Sequence, residues 1–230
     1  MYGKPQFPMQ EDSDPKPPLT IILRVQQVLG SSLYYTLAVD CNFLVAISDL
    51  ASEQLNASTK TCNNLMWLLN YSSTNPDASI PYILTIICLH AHSGASYLSA
   101  PKACSRAAGH FFFGDKPTQR TPPVDKLLNG PIHMVYKIIK NVMGSAVEAD
   151  IGKCYINALS LLPILVCAQE MGHPQVPTSV KVDNTMAVSF AKKTIKQKMT
   201  EAIDMIFHWL QDRKDQTPFT IYWSPIKKAC

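Results

Sequence analysis

The chain has 230 residues, 47 % hydrophobic and only 17 % charged, below the roughly 25 % charged residues of an average soluble domain. Lys plus Arg number 21 against 17 Asp plus Glu, a net charge of +4. These figures exclude a disordered acidic chain and a strongly basic arm, and leave a globular protein of one or two domains with a mild bias toward anionic partners.

Residues 1–18 are polar, hold five prolines and read as a flexible lead-in. They lack the apolar core of a signal peptide. The sequons Asn56-Ala57-Ser58 and Asn70-Tyr71-Ser72 are then chance matches. Residues 19–79 read as a helical segment. Leu23, Val25, Val28, Leu29, Leu33 and Leu37 recur at three- and four-residue steps. A second helix is expected over 42–54 and a third from 58, carrying Leu65, Met66, Leu68 and Leu69. Asn75-Pro76-Asp77 ends the pattern.

Residues 80–230 read as an α/β domain. The β-branched apolar run 83–89 predicts a buried strand, and strands are also expected over 109–114 and 131–139, with a polar loop at 118–130. A long helix is expected over 145–171, stopped by Gly172-His173-Pro174. A short strand over 180–183, helices over 185–191 and 200–216, and a last strand over 219–223 complete the order. Three consecutive strands followed by alternation predict a mixed sheet with helices on its faces. The apolar runs 82–91 and 156–168 fall short of the roughly 20 residues of a spanning helix, and Pro163 interrupts the second, so no membrane partner is expected. The seven cysteines are odd in number and none has C-x-x-C spacing. That excludes a disulfide framework and a zinc site and points to an intracellular chain, cytoplasmic or nuclear.

In such a sheet a hydrolytic metal site needs carboxylates converging from strand ends and the long helix, because paired Mg²⁺ ions demand hard oxygen ligands. Glu148, Asp150 and Asp183 are the acids in place. Residues 148 and 150 are two apart on a helix and face different directions. First-turn acids and an Asp-Asn turn are also ordinary structural chemistry. His90 and His92 share one strand face without a third ligand, and Cys154 or Cys167 with His173 has no supporting motif. Residues 192–214 hold Lys192, Lys193, Lys196, Lys198, Arg213 and Lys214 against Glu201, Asp204 and Asp212, a net +3, with Phe207, His208 and Trp209 interleaved. Such a face can track a phosphate backbone; it is equally the solvated side of a packed helix.

Several stretches together resemble the C-terminal part of a copia-type retrotransposon polyprotein, the end of its reverse transcriptase followed by its ribonuclease H domain. Val28-Leu29-Gly30-Ser31-Ser32-Leu33-Tyr34-Tyr35 is similar to V-x-G-S-L-L-Y-Y, and His92-Ser93-Gly94-Ala95-Ser96-Tyr97 to H-S-D-A-S-Y. Ser105-Arg106-Ala107-Ala108-Gly109-His110-Phe111-Phe112-Phe113 is similar to S-R-x-G-G-Y-F-F-L. Ser145-Ala146-Val147-Glu148-Ala149-Asp150 is similar to S-A-A-E-A-E, and Val182-Asp183-Asn184-Thr185 to T-D-N-T. Residues 196–213 are similar to the family's basic helix. The order and spacing hold over residues 24–223.

The resemblance implies a ribonuclease H-like five-stranded sheet and two-metal, Mg²⁺-dependent cleavage of the RNA strand of an RNA–DNA hybrid. Of the family's four carboxylates, the first falls on Gly94, the helix Glu on Asp150 with Glu148 as a substitute on a neighbouring face, and the third on Asp183. The fourth lies in a segment that 224–230 does not match. Ile206 and Gln211 stand where the basic helix has Arg. The expectation is an inactive domain that holds Mg²⁺ weakly or not at all and binds hybrid weakly through Lys192, Lys193, Lys196, Lys198, Arg213 and Lys214. The alternatives are a protein-interaction module using segment 19–75, and an active enzyme with a rearranged set including Asp204.

Overall fold

The computed structural model describes residues 15–77, 79–100, 103–116, 129–141, 143–184, 201–216 and 219–223. The expected helix at 185–191, most of the loop at 118–130, most of the lead-in and the stretch 224–230 fall outside them. The chain divides into two units, residues 1–80 and 81–230.

The first unit holds α1 (Leu19–Ala38), α2 (Leu44–Glu53) and α3 (Thr59–Thr74). The second expected helix starts later than its periodicity suggests. Asp40 accepts a hydrogen bond from the Asn42 N–H (3.0 Å) and starts a 3₁₀ turn before α2. Ser58 and Thr61 cap α3 reciprocally, each hydroxyl accepting from the other's backbone N–H (3.3–3.4 Å). The core is formed by Val25, Leu29, Phe43, Ile47, Leu50 and Leu65. Tyr34, Leu55 and Trp67 are exposed, Trp67 by 76 %.

The second unit is a mixed five-stranded sheet with helices packed on it. Its strands are β1 (Cys88–Ala100), β2 (Cys104–Gly114), β3 (His133–Ile139), β4 (Thr178–Val182) and β5 (Phe219–Trp223). They lie in the order β3-β2-β1-β4-β5, with β1, β2 and β3 antiparallel in sequence and β1, β4 and β5 parallel. This is the ribonuclease H-like arrangement that the resemblance implies. α4 (Ala146–Glu170) and α5 (Glu201–Asp215) pack together over the sheet. α4 is long and apolar enough to cross a membrane by length and composition. Here its apolar side fills the core: Ala149, Cys154, Ala158 and Leu161 are buried with Leu89, Ala91, Ala107 and Phe111 of the sheet.

α4 runs through Pro163, which faces solvent, so the Leu159 carbonyl that the proline cannot pair remains on the wet side. The helix ends as its composition predicts. Gly172 adopts φ +87°, the His173 N–H reaches the Ala168 carbonyl (3.0 Å) and the Gly172 N–H that of Gln169 (3.0 Å).

The strand expected at 83–89 is displaced: β1 starts at Cys88 and the run before it stays outside the sheet. Leu84 is 97 % exposed, and Ile83 and Ile86 are also open. Two side-chain amides satisfy its backbone instead of a strand. Asn129 accepts from the Ile83 N–H (2.7 Å) and donates to the Ile83 and Phe113 carbonyls (both 2.9 Å). Gln175 accepts from the Leu89 N–H (3.0 Å) and donates to the Ile87 carbonyl (2.9 Å). β-propensity fits a pleated, half-buried surface, and among the described residues no strand lies beside this run to supply one.

Asn157 fixes α4 to the sheet by donating to Ser93 Oγ (2.7 Å) and to the Ala108 carbonyl (2.9 Å). Its amide lies over Gly109, where a Cβ would fall onto Asn157 Oδ1 and within 2.9 Å of the Phe111 ring. Gly109→Ala is therefore expected to destabilise the domain by about 1–3 kcal/mol, measured as a lower urea midpoint; an unchanged midpoint contradicts this packing.

Candidate active site

The parallel strands β1, β4 and β5 end on the same edge of the sheet, beside the start of α4. A cleft of about 520 Å³ opens there, lined by Ala95 and Tyr97 of β1, Asp150 of α4, Asp183 and Asn184 after β4, and Trp223 of β5. Asp150 and Asp183, far apart in sequence, are brought together because β4 returns parallel to β1 beneath the first turns of α4.

Lys153 lies between the two carboxylates. Its Nζ is 2.7 Å from Asp150 Oδ1 and 2.5 Å from Asp183 Oδ1, and the side chain is 0 % exposed. Asp150 and Lys153 are three apart on α4 and so share a face. Asn184 Nδ2 donates to the other oxygen of Asp150, and the Trp223 indole N–H donates to the Asp183 carbonyl (3.2 Å). Burial pulls the Lys153 pKa down, but the hydrogen bonds it donates to Asp150 and Asp183 outweigh it and leave the pKa raised, so the ammonium stays charged. Burial also pushes the neighbouring Cys154 thiol up to about 11.

Glu148 points elsewhere. Its Oε2 accepts from the Gly144 N–H (2.7 Å), while Ser145 Oγ accepts from the Glu148 N–H (3.2 Å). The carboxylate thus serves the start of α4, where the helix dipole also favours it. Strand alternation bears on Gly94. Ser93 bonds Asn157 of α4 and Ala95 lines the cleft, so Gly94 between them lies on the opposite face, where a Cβ would meet Ala108. The position on the cleft wall belongs to Ala95, which has no oxygen in its side chain either.

The donors present do not fit a two-metal centre. Two carboxylates converge, an ammonium sits between them, and the strand position facing them is an alanine. Among the described residues no group of three or more His, Cys, Asp or Glu is placed to hold a metal ion. Lys153 carried one sequence signal that could have found it: a cation three residues after Asp150 within an otherwise apolar helical stretch.

His90 and His92 lie together on the sheet face away from α4, where His90 and His110 stack on Phe112 and His92 meets Phe112 and His110 edge-on. His90 Nε2 donates to the Asp115 carbonyl (2.8 Å). Cys154 is buried and Cys167 exposed; about 20 Å of helix separates them. Of the basic residues, Lys192, Lys193, Lys196 and Lys198 and the side chain of Lys214 lie outside the described residues. Arg213 stacks over Trp209 (5.6 Å) and donates to Gln216 Oε1 (2.8 Å). Ile206, where the basic helix has Arg, packs against the core.

No family model and no curated protein matches the chain. Solved structures similar to it include the N-terminal RNase H domain from Mycobacterium tuberculosis fused to maltose-binding protein, with 12 % identity and a TM-score of 0.38 over 62 % of this chain and 85 % of that one. LC11-RNase H1, isolated from compost, in complex with RNA/DNA hybrid has 10 % identity and a TM-score of 0.41 over 61 % and 87 %. The foamy viral protease–reverse transcriptase in complex with double-stranded DNA has 14 % identity and a TM-score of 0.34 over 92 % and 35 %. These similarities are low, and the fold rests on strand order and direction alone.

The unfolded Cys154 thiol ionises near its ordinary value of 9.0 and the folded one near 11. The unfolded chain therefore loses its proton first as pH rises. The stability is intact below pH 9 and falls from there to pH 11. Over that window the protein is expected to lose about 2 kcal/mol more than its Cys154→Ala variant. Urea denaturation at pH 8 and pH 11 measures the difference, and parallel curves for the two proteins refute it.

Proposed function

We propose that this is a retrotransposon-derived ribonuclease H-like domain that does not cleave and retains weak, sequence-independent binding to nucleic acid, RNA–DNA hybrid foremost. The observation that carries the first part is the Lys153 ammonium held between Asp150 and Asp183. Two-metal hydrolysis needs a Lewis acid on the scissile phosphate and an activated water in line with it. An ammonium held by two carboxylates supplies neither. One buried cation against two acids also leaves the cleft net negative, which disfavours a phosphate there. Binding then falls to the net +3 segment 192–214, whose composition suits backbone phosphates.

A second reading, a protein-interaction module, is favoured by the exposed Tyr34, Leu55 and Trp67 of the helical unit. Both readings share the inert cleft and differ in the dependence of binding on salt.

The test is a hybrid with end-labelled RNA, incubated with the full chain and Mg²⁺ or Mn²⁺. Cleavage is expected to equal that of an Asp183→Asn variant, and cleavage well above it overturns the inactive reading. Binding is expected at low salt and should fall about tenfold or more between roughly 50 and 200 mM. No binding at low salt removes the nucleic-acid role and leaves the interaction module.

A further inference from the structure

We propose that the Lys153 ammonium is a built-in substitute for a metal ion: it holds Asp150 and Asp183 together across the cleft and closes that position to divalent cations, so that removing this one side chain opens a metal site. The inference rests on the reading of the cleft as a former hydrolytic site, and is independent of whether nucleic acid binds elsewhere.

Three observations support it. The ammonium is placed as a cation ligated by both acids would be, 2.7 Å from Asp150 Oδ1 and 2.5 Å from Asp183 Oδ1. A divalent ion takes carboxylate oxygens at about 2.0–2.6 Å and cannot share that point with another cation. The ammonium also has nowhere else to go. Lys153 is fully buried and tethered on the same helix as Asp150, and swinging it out would leave both acids facing each other without a counter-charge. Finally, the remaining donors are engaged. Asn184 holds the second oxygen of Asp150, and the Glu148 carboxylate is held at the Gly144 N–H. Only Asp183, with 34 % of its side chain exposed, offers an edge to solvent, and a single carboxylate is a poor ligand set for a hard cation.

Lys153→Met keeps the length and bulk of the stem and removes the charge. It leaves two carboxylates converging on one point with no cation between them, one of them deep in the cleft. That arrangement is unstable alone and is relieved by a divalent ion.

The experiment uses the full chain without nucleic acid, with Mn²⁺ as the probe. Binding is read from the free-ion electron paramagnetic resonance signal and from quenching of tryptophan fluorescence, to which Trp223 on the cleft wall contributes. The wild type is expected to bind no Mn²⁺ at about 1 mM and to show the same Tm with Mn²⁺ as with chelator. Lys153→Met is expected to lose roughly 10 °C in chelator. It should bind one Mn²⁺ at least tenfold more tightly than the wild type and recover part of its Tm. Asp150→Asn/Lys153→Met, which removes the unpaired acid with the ammonium, should be more stable in chelator than the single variant and gain no Mn²⁺ binding. Three results each overturn the proposal: wild-type binding tighter than about 0.1 mM; a single variant that gains no Mn²⁺, or that stays unfolded in both chelator and Mn²⁺; or a double variant that binds as well as the single one. Hybrid binding can fail entirely without touching any of these readouts.

Discussion

A single buried ammonium joins the two halves of the sheet domain's cleft. Lys153 extends from α4, and its two partners arrive by different routes: Asp150 from one turn earlier on the same helix, Asp183 from the residue after β4. The register of β4 against β1 and the position of α4 over the sheet must both be correct for the three charges to meet. Asn157, one turn further along α4, makes the neutral counterpart of this fastening to Ser93 and Ala108. Cleft geometry and domain core are thus parts of one construction: the side of α4 that carries the charge cluster continues directly into the side that packs on Leu89, Ala91 and Phe111.

Burying the ionised Lys153 and Asp150 is costly unless each finds its partners, because a charge loses several kcal/mol of hydration on leaving water. Here most of the partners are present. Lys153 has two carboxylates, Asp150 has Lys153 and Asn184, and Asp183 keeps partial access to solvent. This accounts for the persistence of a polar cluster in a domain whose chain is poor in charges. A fixed monocation of this kind has no vacant coordination position and cannot polarise an incoming oxygen as a Lewis acid does.

Much of the fold was legible in the sequence because local and global preferences agree. β3, α4 and β5 follow periodicities and stop signals that their tertiary surroundings reinforce, and Gly172 caps α4 as expected of a glycine before His-Pro. The reading failed where a local preference had no tertiary partner. Residues 83–87 have the composition of a strand, yet the sheet begins at Cys88, and nothing in the run itself reveals that Gln175 and Asn129 will take its hydrogen bonds. The cleft was half legible. Asp150 and Asp183 are named from the sequence and line one cleft, but Lys153 is not, because its meaning depends on an approach from residue 183. Gly94 lies on the face away from the cleft, which an aligned motif does not state but alternation about Ser93 and Ala95 does.

The displaced run before β1 has a consequence for the behaviour of the chain in solution. Tyr82, Ile83, Leu84 and Ile86 present an apolar, β-prone surface to water, next to a sheet that does not incorporate them. Segments of this composition, outside a sheet and uncharged, can template pairing between molecules once their side-chain hydrogen bonds open. The nearest ionic gatekeepers lie beyond the stretch 80–89, which contains no Asp, Glu, Lys or Arg. A charged residue at Leu84, which touches none of the core, would keep concentrated chains apart without altering the fold.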